Sequence, residues 1–325
     1  MAGGARRKLT DLFLMGELAA VVYIGGIAAV AAVSDVKYVL FPELAALAFD
    51  MFTRPRGTWA GAPLMVITTP VLAAVVGILI ERHIPYGMES VLLSVAASVV
   101  LIKVLRSPVA PAISAGLLPL SLGEGSWWYP LSILFGTTLL AVLSVGYRTL
   151  IAQTNRQTPS ANTDAMDDLL EQPPDQYAWL PFFLLFLLGE LLLAKISGLR
   201  LILFPPLVVI GFEMFSHAGV CPWADRPLVL PVICAATATV GVWAVLHLGS
   251  GPLAAMFILI ISIALVRAFK VHVPPALAVG LLPLIIHHPD YWFPYGVLLG
   301  TLFLSIAFLV FRSMVMLPSR QRGYR

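Results

Sequence analysis

The segment Val271–Leu284 reads V-H-V-P-P-A-L-A-V-G-L-L-P-L, an apolar stretch interrupted by prolines and a glycine. Proline removes a backbone hydrogen-bond donor and clashes with the preceding turn, so we expect no uninterrupted helix through this segment. The breaks are expected at Pro274, Pro275, Gly280 and Pro283. In a membrane, such breaks are tolerated only where other protein or a cavity satisfies the freed backbone groups.

The same kind of stretch occurs once before in the chain. Ser107–Leu120 reads S-P-V-A-P-A-I-S-A-G-L-L-P-L, and its Pro111, Gly116 and Pro119 hold the places of the second proline, the glycine and the last proline of the later segment. Two broken apolar segments in corresponding positions are the sequence feature that best indicates a transporter's binding site. We therefore look for a binding site where the two segments meet.

The composition is that of a protein embedded in a lipid bilayer. The 325 residues are 59% hydrophobic and only 11% charged, whereas a soluble protein carries about a quarter charged residues. We predict an all-α polytopic membrane protein whose partners are the bilayer and a small solute, with no nucleic acid; a homo-oligomer stays open. The two cysteines and six histidines form no disulfide framework or metal-ligand spacing, so we expect no metal and no cofactor.

Twelve apolar segments follow one another in the same order in the two halves of the chain. In the first half they are Leu12–Val33, Tyr38–Phe52, Pro63–Ile80, Met88–Leu105, Val109–Leu122 and Trp127–Tyr147. In the second half they are Tyr177–Ala194, Leu201–Phe215, Pro227–Leu246, Pro252–Val266, Val273–Ile286 and Trp292–Phe311. The polar, acidic stretch between the halves is typical of a flexible linker. The chain thus divides into a membrane repeat at 1–150, a linker at 151–176 and a second membrane repeat at 177–325.

Short matched blocks support an internal duplication. Leu40–Pro42 and Leu203–Pro205 both read L-F-P, and Asp50–Phe52 differs from Glu213–Phe215 only in the length of its acid. The offset between the copies stays nearly constant along the chain. These blocks predict two tandem repeats of about five to six transmembrane or half-membrane helices each, related by a pseudo-twofold axis.

The positive charges indicate how the segments cross the membrane, because cytoplasmic loops carry an excess of Lys and Arg. If every segment crosses, sixteen of these residues fall inside and four outside, the four being Lys37, Arg82, Lys195 and Arg200. If the fifth segment of each half returns without crossing, the split drops to thirteen against seven. If the second segment of each half also returns, it becomes ten against ten. The tally favours parallel repeats with both termini cytoplasmic, in a bacterial cytoplasmic (inner) membrane. The short segments have only about 15 residues, below the roughly 17 needed to span unaided, so the re-entrant alternative stays open.

Four acids lie in these apolar segments as two matched pairs. Glu17 and Glu190 lie in the first segment of each half, and Asp50 and Glu213 lie near the end of each short second segment. Ionisable residues are costly inside a membrane and are functional candidates there. A buried carboxylate is suited to bind a coupling proton, so we predict that all four couple transport to protons. For Asp50 and Glu213, simple contact with water at the membrane boundary is the alternative.

Two cations stand just before the broken segments. Arg106 precedes Pro111, and Lys270 precedes Pro275. A helix that begins at either proline presents free N–H groups and a positive partial charge, which together with the cation attract an anion. Anchoring of the cytoplasmic face is the alternative. His272 either titrates or is an ordinary interface residue. The predicted substrate-binding residues are Arg106, Pro111, Gly116, Lys270, His272, Pro274, Pro275 and Gly280.

The second half resembles the HPP family of integral membrane proteins. The resemblance is carried by Pro274–Leu282, by the apolar segment that ends at Arg267, and by the Trp292 segment. The loop Cys221–Pro227, C-P-W-A-D-R-P, looks like the S-P-L-A-Q-P-R loop of that family. The first half resembles the family more faintly, so most of the chain reads as two copies of what is usually one four-spanning unit.

The chain departs from the family at the motif that names it. The His-Pro-Pro triplet is replaced by V-P-P at Val273–Pro275, with His272 one position early, and the first copy has no histidine nearby. The family is thought to contain transporters, with nitrite uptake attributed to some members, so the resemblance implies a transporter or channel for a small inorganic anion. The alternatives are a proton-coupled transporter of other specificity, or an intramembrane enzyme or sensor. We expect no enzyme, since the sequence contains no nucleophile elbow or P-loop.

Overall fold

The computed structural model describes residues 2–154, 169–170 and 177–316, and every regular element in these ranges is helical. Most of the predicted linker lies outside the described residues. The first half contains α1 (Ala2–Ser34), α2 (Leu44–Thr53), α3 (Thr58–Gly61), α4 (Pro63–His83), α5 (Met88–Leu105), α6 (Ala112–Leu122) and α7 (Trp128–Thr154). The second half contains α8 (Leu180–Ser197), α9 (Pro205–Ser216), α10 (Leu230–Leu248), α11 (Pro252–Phe269), α12 (Pro275–Leu281) and α13 (Trp292–Phe311).

Eight helices in the described part of the chain are long and apolar enough to cross a membrane: α1 from Phe13 onward, α4, α5, α7, α8, α10, α11 and α13. The shortest of them has 18 residues. A rise of 1.5 Å per residue makes such a helix about 27 Å long, close to the roughly 30 Å of a bilayer's hydrocarbon core. The prediction of an all-α polytopic membrane protein is confirmed.

Besides the single-turn helix α3, four short helices complete the described part of the bundle. The helices α2, α6 and α9 have 10, 11 and 12 residues, and α12 has 7 residues and continues as a 3-10 turn, Leu282–Leu284. At 1.5 Å per residue, each covers only about half of the hydrocarbon core. The 3-10 turns Lys37–Val39 and Arg200–Ile202 precede α2 and α9. The order of long and short helices is therefore the same in both halves, while the pseudo-twofold relation between them stays a prediction.

The breaks in the opening segment are fewer than the sequence predicts. The helix α11 ends at Phe269 and α12 begins at Pro275, so the predicted break at the double proline is confirmed. The break expected at Gly280 is wrong, because this residue lies inside α12. Pro283 lies in the 3-10 turn that follows the helix and does not divide the segment again. Only the N-terminal side of the segment is non-helical.

In the matched first-half segment, Pro119 lies inside α6 and does not end it. A proline at this position leaves the carbonyl four residues earlier, that of Ala115, without its helical partner. The hydroxyl of Tyr129 donates a hydrogen bond of 2.8 Å to that carbonyl oxygen. Phe293, one position after the second half's matched tryptophan, has no hydroxyl to donate. This difference accounts for the longer α-helix in the first half.

The ends of the helices gather at two opposite faces of the bundle. At one face, which we call the N face, the first turns of the apolar part of α1 meet the ends of α2 and α11, and Phe52 packs against Tyr147 near the end of α7. At the other, the distal face, Arg82 at the end of α4 donates to the carbonyl of Gly125 just before α7. Arg200, after α8, contacts Tyr86 at this same face.

The two short segments of the first half extend between these faces. The α2 segment begins at the distal face, where Tyr38 packs against Tyr129, and ends at the N face with Phe52. The α6 segment begins at the N face, where Trp59 donates to the carbonyl of Pro108, and ends where Arg200 contacts the carbonyl of Leu120. These contacts favour crossing over re-entrant hairpins. The assignment of the N face to the cytoplasm stays a prediction.

Candidate functional site

The four short helices meet in the core of the bundle, and they do so across the two halves. The helix α2 packs against α12, and α6 packs against α9. Their residues are almost all buried. Around them, α1 packs against α11, and α5 packs against α8. Any site between the short helices is therefore built from both halves, as the broken segments predict.

A cavity of about 220 Å³ opens at the N face between α1 and α11, with α2 and the start of α12 as its floor. Its polar lining consists of Arg267, Lys270 and His272, and no acid is among its lining residues in the described part of the chain. The other walls are apolar and include Phe13 and Phe49. We call it the basic cavity. Its charge favours a negatively charged occupant.

A second, much smaller cavity of about 20 Å³ adjoins the first, because His272 and Pro274 line both. It is lined by Asp50 and Arg54 of α2, by Glu213 of α9, and by the aromatic side chains of Trp59 and Trp223. A cavity needs about 10–15 Å³ to hold one water molecule, so this one has room for a single water.

We call Asp50, Arg54, Glu213 and His272 the charged cluster. Arg54 Nε donates a 2.7 Å hydrogen bond to Asp50 Oδ1, and the two side chains are only 6% and 1% exposed. Glu213 lies on the same small cavity, although it is far away in sequence. The structure thus brings one matched pair of acids, Asp50 and Glu213, to the same small cavity, and their predicted role in proton coupling stays a prediction. Burial also counts against the alternative that these acids simply reach water.

The other matched pair of acids is split by the structure. Glu17 is 7% exposed and pairs with Arg267, whose Nη2 lies 2.7 Å from Glu17 Oε2. This ion pair joins α1 to α11 beside the basic cavity. Glu190 is fully buried in α8, and neither of its carboxylate oxygens has a hydrogen-bond partner among the described residues. It faces Gly300 of α13, away from both cavities.

Arg106 and Lys270 have the same backbone conformation at the ends of α5 and α11. Their φ angles are 49° and 53°, in the left-handed region, and each residue caps the helix that precedes it. A cation at a helix C-terminus is stabilised by the helix dipole, so the structure supplies a reason for these charges besides anion attraction. Both side chains are exposed, and of the two only Lys270 lines the basic cavity.

The predicted proline and glycine residues occupy two different environments. Pro274 and Pro275 line the cavities, and Pro111 directly precedes α6. Gly116 and Gly280 lie instead in tight helix crossings, because a Cβ at Gly77 of α4 would overlap the carbonyl oxygen of Gly116. The same overlap occurs between α10 and Gly280. These two glycines therefore permit close helix packing and do not line the cavities.

Two charged residues of the core were missed by reasoning from the sequence. Arg54 was counted only as a topological charge, although its spacing of four residues from Asp50 is that of a helical ion pair. Glu43, at the start of α2, is 2% exposed and accepts a hydrogen bond from Ser114 of α6. It has no acidic counterpart in the second half, so a search for matched acids passes over it.

Comparison with protein-family models, with curated proteins and with solved structures finds no match for this chain. The HPP resemblance therefore stays a prediction that rests on the residues given above. What the chain does must be argued from its own geometry.

Proposed function

We propose that this integral membrane protein is a transporter or channel for a small solute, whose path follows the four short helices at the interface of the two halves. Broken helices in corresponding positions of two halves are a feature of transporter binding sites. The charged cluster and the basic cavity lie at that interface and draw residues from both halves. The observation that carries the proposal is this pair of adjoining cavities around His272 and Pro274.

The solute that we propose is an inorganic anion. Lys270 and His272 line the basic cavity, and its other cation, Arg267, is already paired with Glu17. A cavity with this lining attracts anions and repels cations. Nitrite is the first anion to test, because the HPP resemblance implies it.

A small organic anion is the second candidate, and the size and walls of the cavity favour it. A volume of about 220 Å³ is many times the roughly 10–15 Å³ that one water molecule needs by the same measure, more than a bare inorganic anion needs. The apolar walls formed by Phe13, Phe49 and Leu277 would suit the carbon skeleton of a monocarboxylate.

Uptake into proteoliposomes tests both candidates. We expect Lys270→Gln to weaken apparent affinity by about 5- to 30-fold, the equivalent of about 1–2 kcal/mol for a partly solvated charge-assisted contact. Arg106→Gln is the matched control, since it removes the same charge from the same backbone conformation in the other half, outside both cavities. Wild-type affinity in Lys270→Gln for nitrite, nitrate and short monocarboxylates would overturn the anion proposal. Equal losses in both variants would restore the symmetric site that the sequence predicts.

A further inference from the structure

A second polar constellation lies in the core, apart from the charged cluster. Glu43 begins α2 and is 2% exposed, and the fully buried Ser114 donates a hydrogen bond to its Oε1. The other oxygen, Oε2, has no hydrogen-bond partner among the described residues. No cation pairs with this carboxyl group in the part of the chain that the structure describes. An ionised carboxylate is costly in such a place, so the group needs a proton or another cation to neutralise it.

Two tyrosines lie between this carboxyl group and the distal face. The hydroxyl of Tyr129 is bonded to the carbonyl of Ala115, the residue next to Ser114. Tyr38 packs edge-on against Tyr129, with ring centroids 6.1 Å apart, and its hydroxyl is hydrogen-bonded to Glu124 near the distal end of α6. Tyr38 and Glu124 are both partly exposed. Polar groups thus extend from the distal face to Glu43.

The second half contains none of these polar groups. Where the matched blocks align, Pro206 stands in place of Glu43, Ala278 in place of Ser114, and Phe293 in place of Tyr129. The helices α9 and α12 nevertheless form and pack without them. The second half therefore folds without the polar set. In the first half the Tyr129 hydroxyl also satisfies the Ala115 carbonyl at Pro119, but that structural role does not account for the buried acid Glu43.

We propose that Glu43 is the proton-binding site through which transport is coupled to proton movement, with access from the distal face past Tyr38 and Tyr129. The inference rests on the proposed transport function. In the binding step, a hydronium ion at the distal face loses a proton and Glu43 Oε2 gains an O–H bond, which turns the carboxylate into a neutral acid. The reverse step returns the carboxylate. Neither step consumes any other bound species, such as the solute anion.

No second acid is seen to face Glu43 in the described residues; Glu190, which is also fully buried, lies on α8 beside Gly300 of α13. From α1, the hydroxyl of Tyr23 is bonded to the carbonyl of Gly136, and α12 contains no ionisable residue. From α6 and α7, Ser114 and Tyr129 face it. On α2 itself, the next ionisable residue is Asp50, about two turns away and bonded to Arg54. Protonation of Glu43 is thus separable by mutation from that of the charged cluster.

Infrared difference spectroscopy of the purified protein at two pH values tests the site without any transport assay. We expect a carboxylic-acid C=O band that changes with pH and is lost in Glu43→Gln. Ser114→Ala should move this band to higher frequency, because the hydrogen bond to the carbonyl oxygen is gone. Ser114→Ala and Tyr129→Phe introduce the residue types that the second half already folds with, so they serve where Glu43→Gln does not yield folded protein. Persistence of every pH-dependent band in Glu43→Gln, or an unmoved band in Ser114→Ala, would overturn the proposal.

Two further arms identify the cation and separate this inference from the proposed function. Sodium titrated at constant pH should leave the Glu43 band unchanged; its disappearance would assign the site to Na⁺ and reject the proton. In proteoliposomes, an imposed pH gradient should accelerate solute uptake by the wild type and have no such effect in Glu43→Gln. Retention of the acceleration in Glu43→Gln would also reject the coupling role. Absence of any solute flux in the wild type would count against the transport function, while the infrared result would still decide proton binding.

Discussion

At the scale of single residues, the buried pair of Asp50 and Arg54 is the feature on which the charged cluster depends. Both side chains are nearly inaccessible, and Arg54 Nε is 2.7 Å from Asp50 Oδ1. Removal of one partner from a buried ion pair leaves an uncompensated charge, which is far more costly than the loss of the pair as a whole. The pair therefore stabilises the C-terminal end of α2, beside the cavity that it shares with Pro275 at the start of α12.

We expect Asp50→Asn or Arg54→Gln to destabilise the protein by about 3–5 kcal/mol, and the double variant to recover part of that loss. The measurement is the unfolding free energy of the purified protein in detergent. The exposed pair of Arg312 and Asp225, with charged atoms 3.9 Å apart, is the control, because exposed pairs contribute only about 0–1 kcal/mol. Equal and additive losses at Asp50 and Arg54 would show that the two charges do not depend on each other.

The sequence predicts some residues of the site and not others, because only residues that are matched between the two halves stand out in it. Asp50, Glu213, His272 and Pro275 were found because they are matched acids or lie in a repeated motif, and they line the same small cavity. Glu43 could not be found in this way because its place in the second half is taken by a proline. Depth in the core is a property of the packed bundle, and periodicity in uniformly apolar segments does not reveal it.

At the scale of the helices, paired glycines permit the closest contacts. Gly77 of α4 lies against the carbonyl of Gly116 in α6, and Gly241 of α10 lies in the same way against Gly280 in α12. Side chains as small as a methyl group would hold these backbones apart. Small residues at crossing points are a common way to pack helices in membranes. Here they bring the short helices into close backbone contact with the long helices.

We expect Gly77→Ala and Gly241→Ala each to destabilise the protein by about 1–3 kcal/mol, because an added methyl group overpacks the crossing. Gly26→Ala is the matched control, since a Cβ at this exposed position of α1 would meet nothing within 4 Å. It should be neutral or stabilising by up to about 1 kcal/mol, the gain of alanine over glycine in a helix. Thermal unfolding of the three variants in detergent is the measurement. If all three behave alike, the glycines do not set the crossing distance.

The sequence predicts these elements well at their beginnings and less well at their ends. The double proline that opens α12 fixes its start, since proline suits the first helical turn and excludes a continuous helix. Gly280 and Pro119 suggest breaks that do not occur, because tertiary contacts decide there. Close packing gives Gly280 a place in the helix, and the Tyr129 hydroxyl satisfies the carbonyl that Pro119 leaves without a partner.

At the scale of the whole molecule, the two faces of the bundle differ in how the halves meet. At the distal face, Arg200 of the second half contacts the ring of Tyr86, 3.8 Å from its centroid, and the carbonyl of Leu120 in the first half. At the N face, the basic cavity opens between the halves. The halves also meet at the N face, through the Glu17–Arg267 ion pair beside this cavity. The two halves are therefore joined at both faces, and the basic cavity is the open part of their interface at the N face.

The orientation of this bundle is open to a direct test. Arg106 and Gly219 are exposed at the N face, one in each half, and Glu89 and Ser250 are exposed at the distal face, again one in each half. Cytoplasmic loops carry an excess of Lys and Arg, and Lys103, Arg148 and Arg267 lie toward the N face. We therefore expect the N face to be cytoplasmic in both halves.

Single cysteines measure this in intact cells, in a background where the buried Cys221 and Cys234 are replaced by alanine. An impermeant maleimide should label Glu89→Cys and Ser250→Cys from outside, and should label Arg106→Cys and Gly219→Cys only after permeabilisation. Labelling from outside at both N-face positions would reverse the orientation and leave the parallel arrangement intact. Outside labelling at only one of them would place these two loops on opposite sides of the membrane, although the described helices bring both loops to the N face. The assignment of short segments as crossing elements would then fail, because parallel halves require an even number of crossings in each.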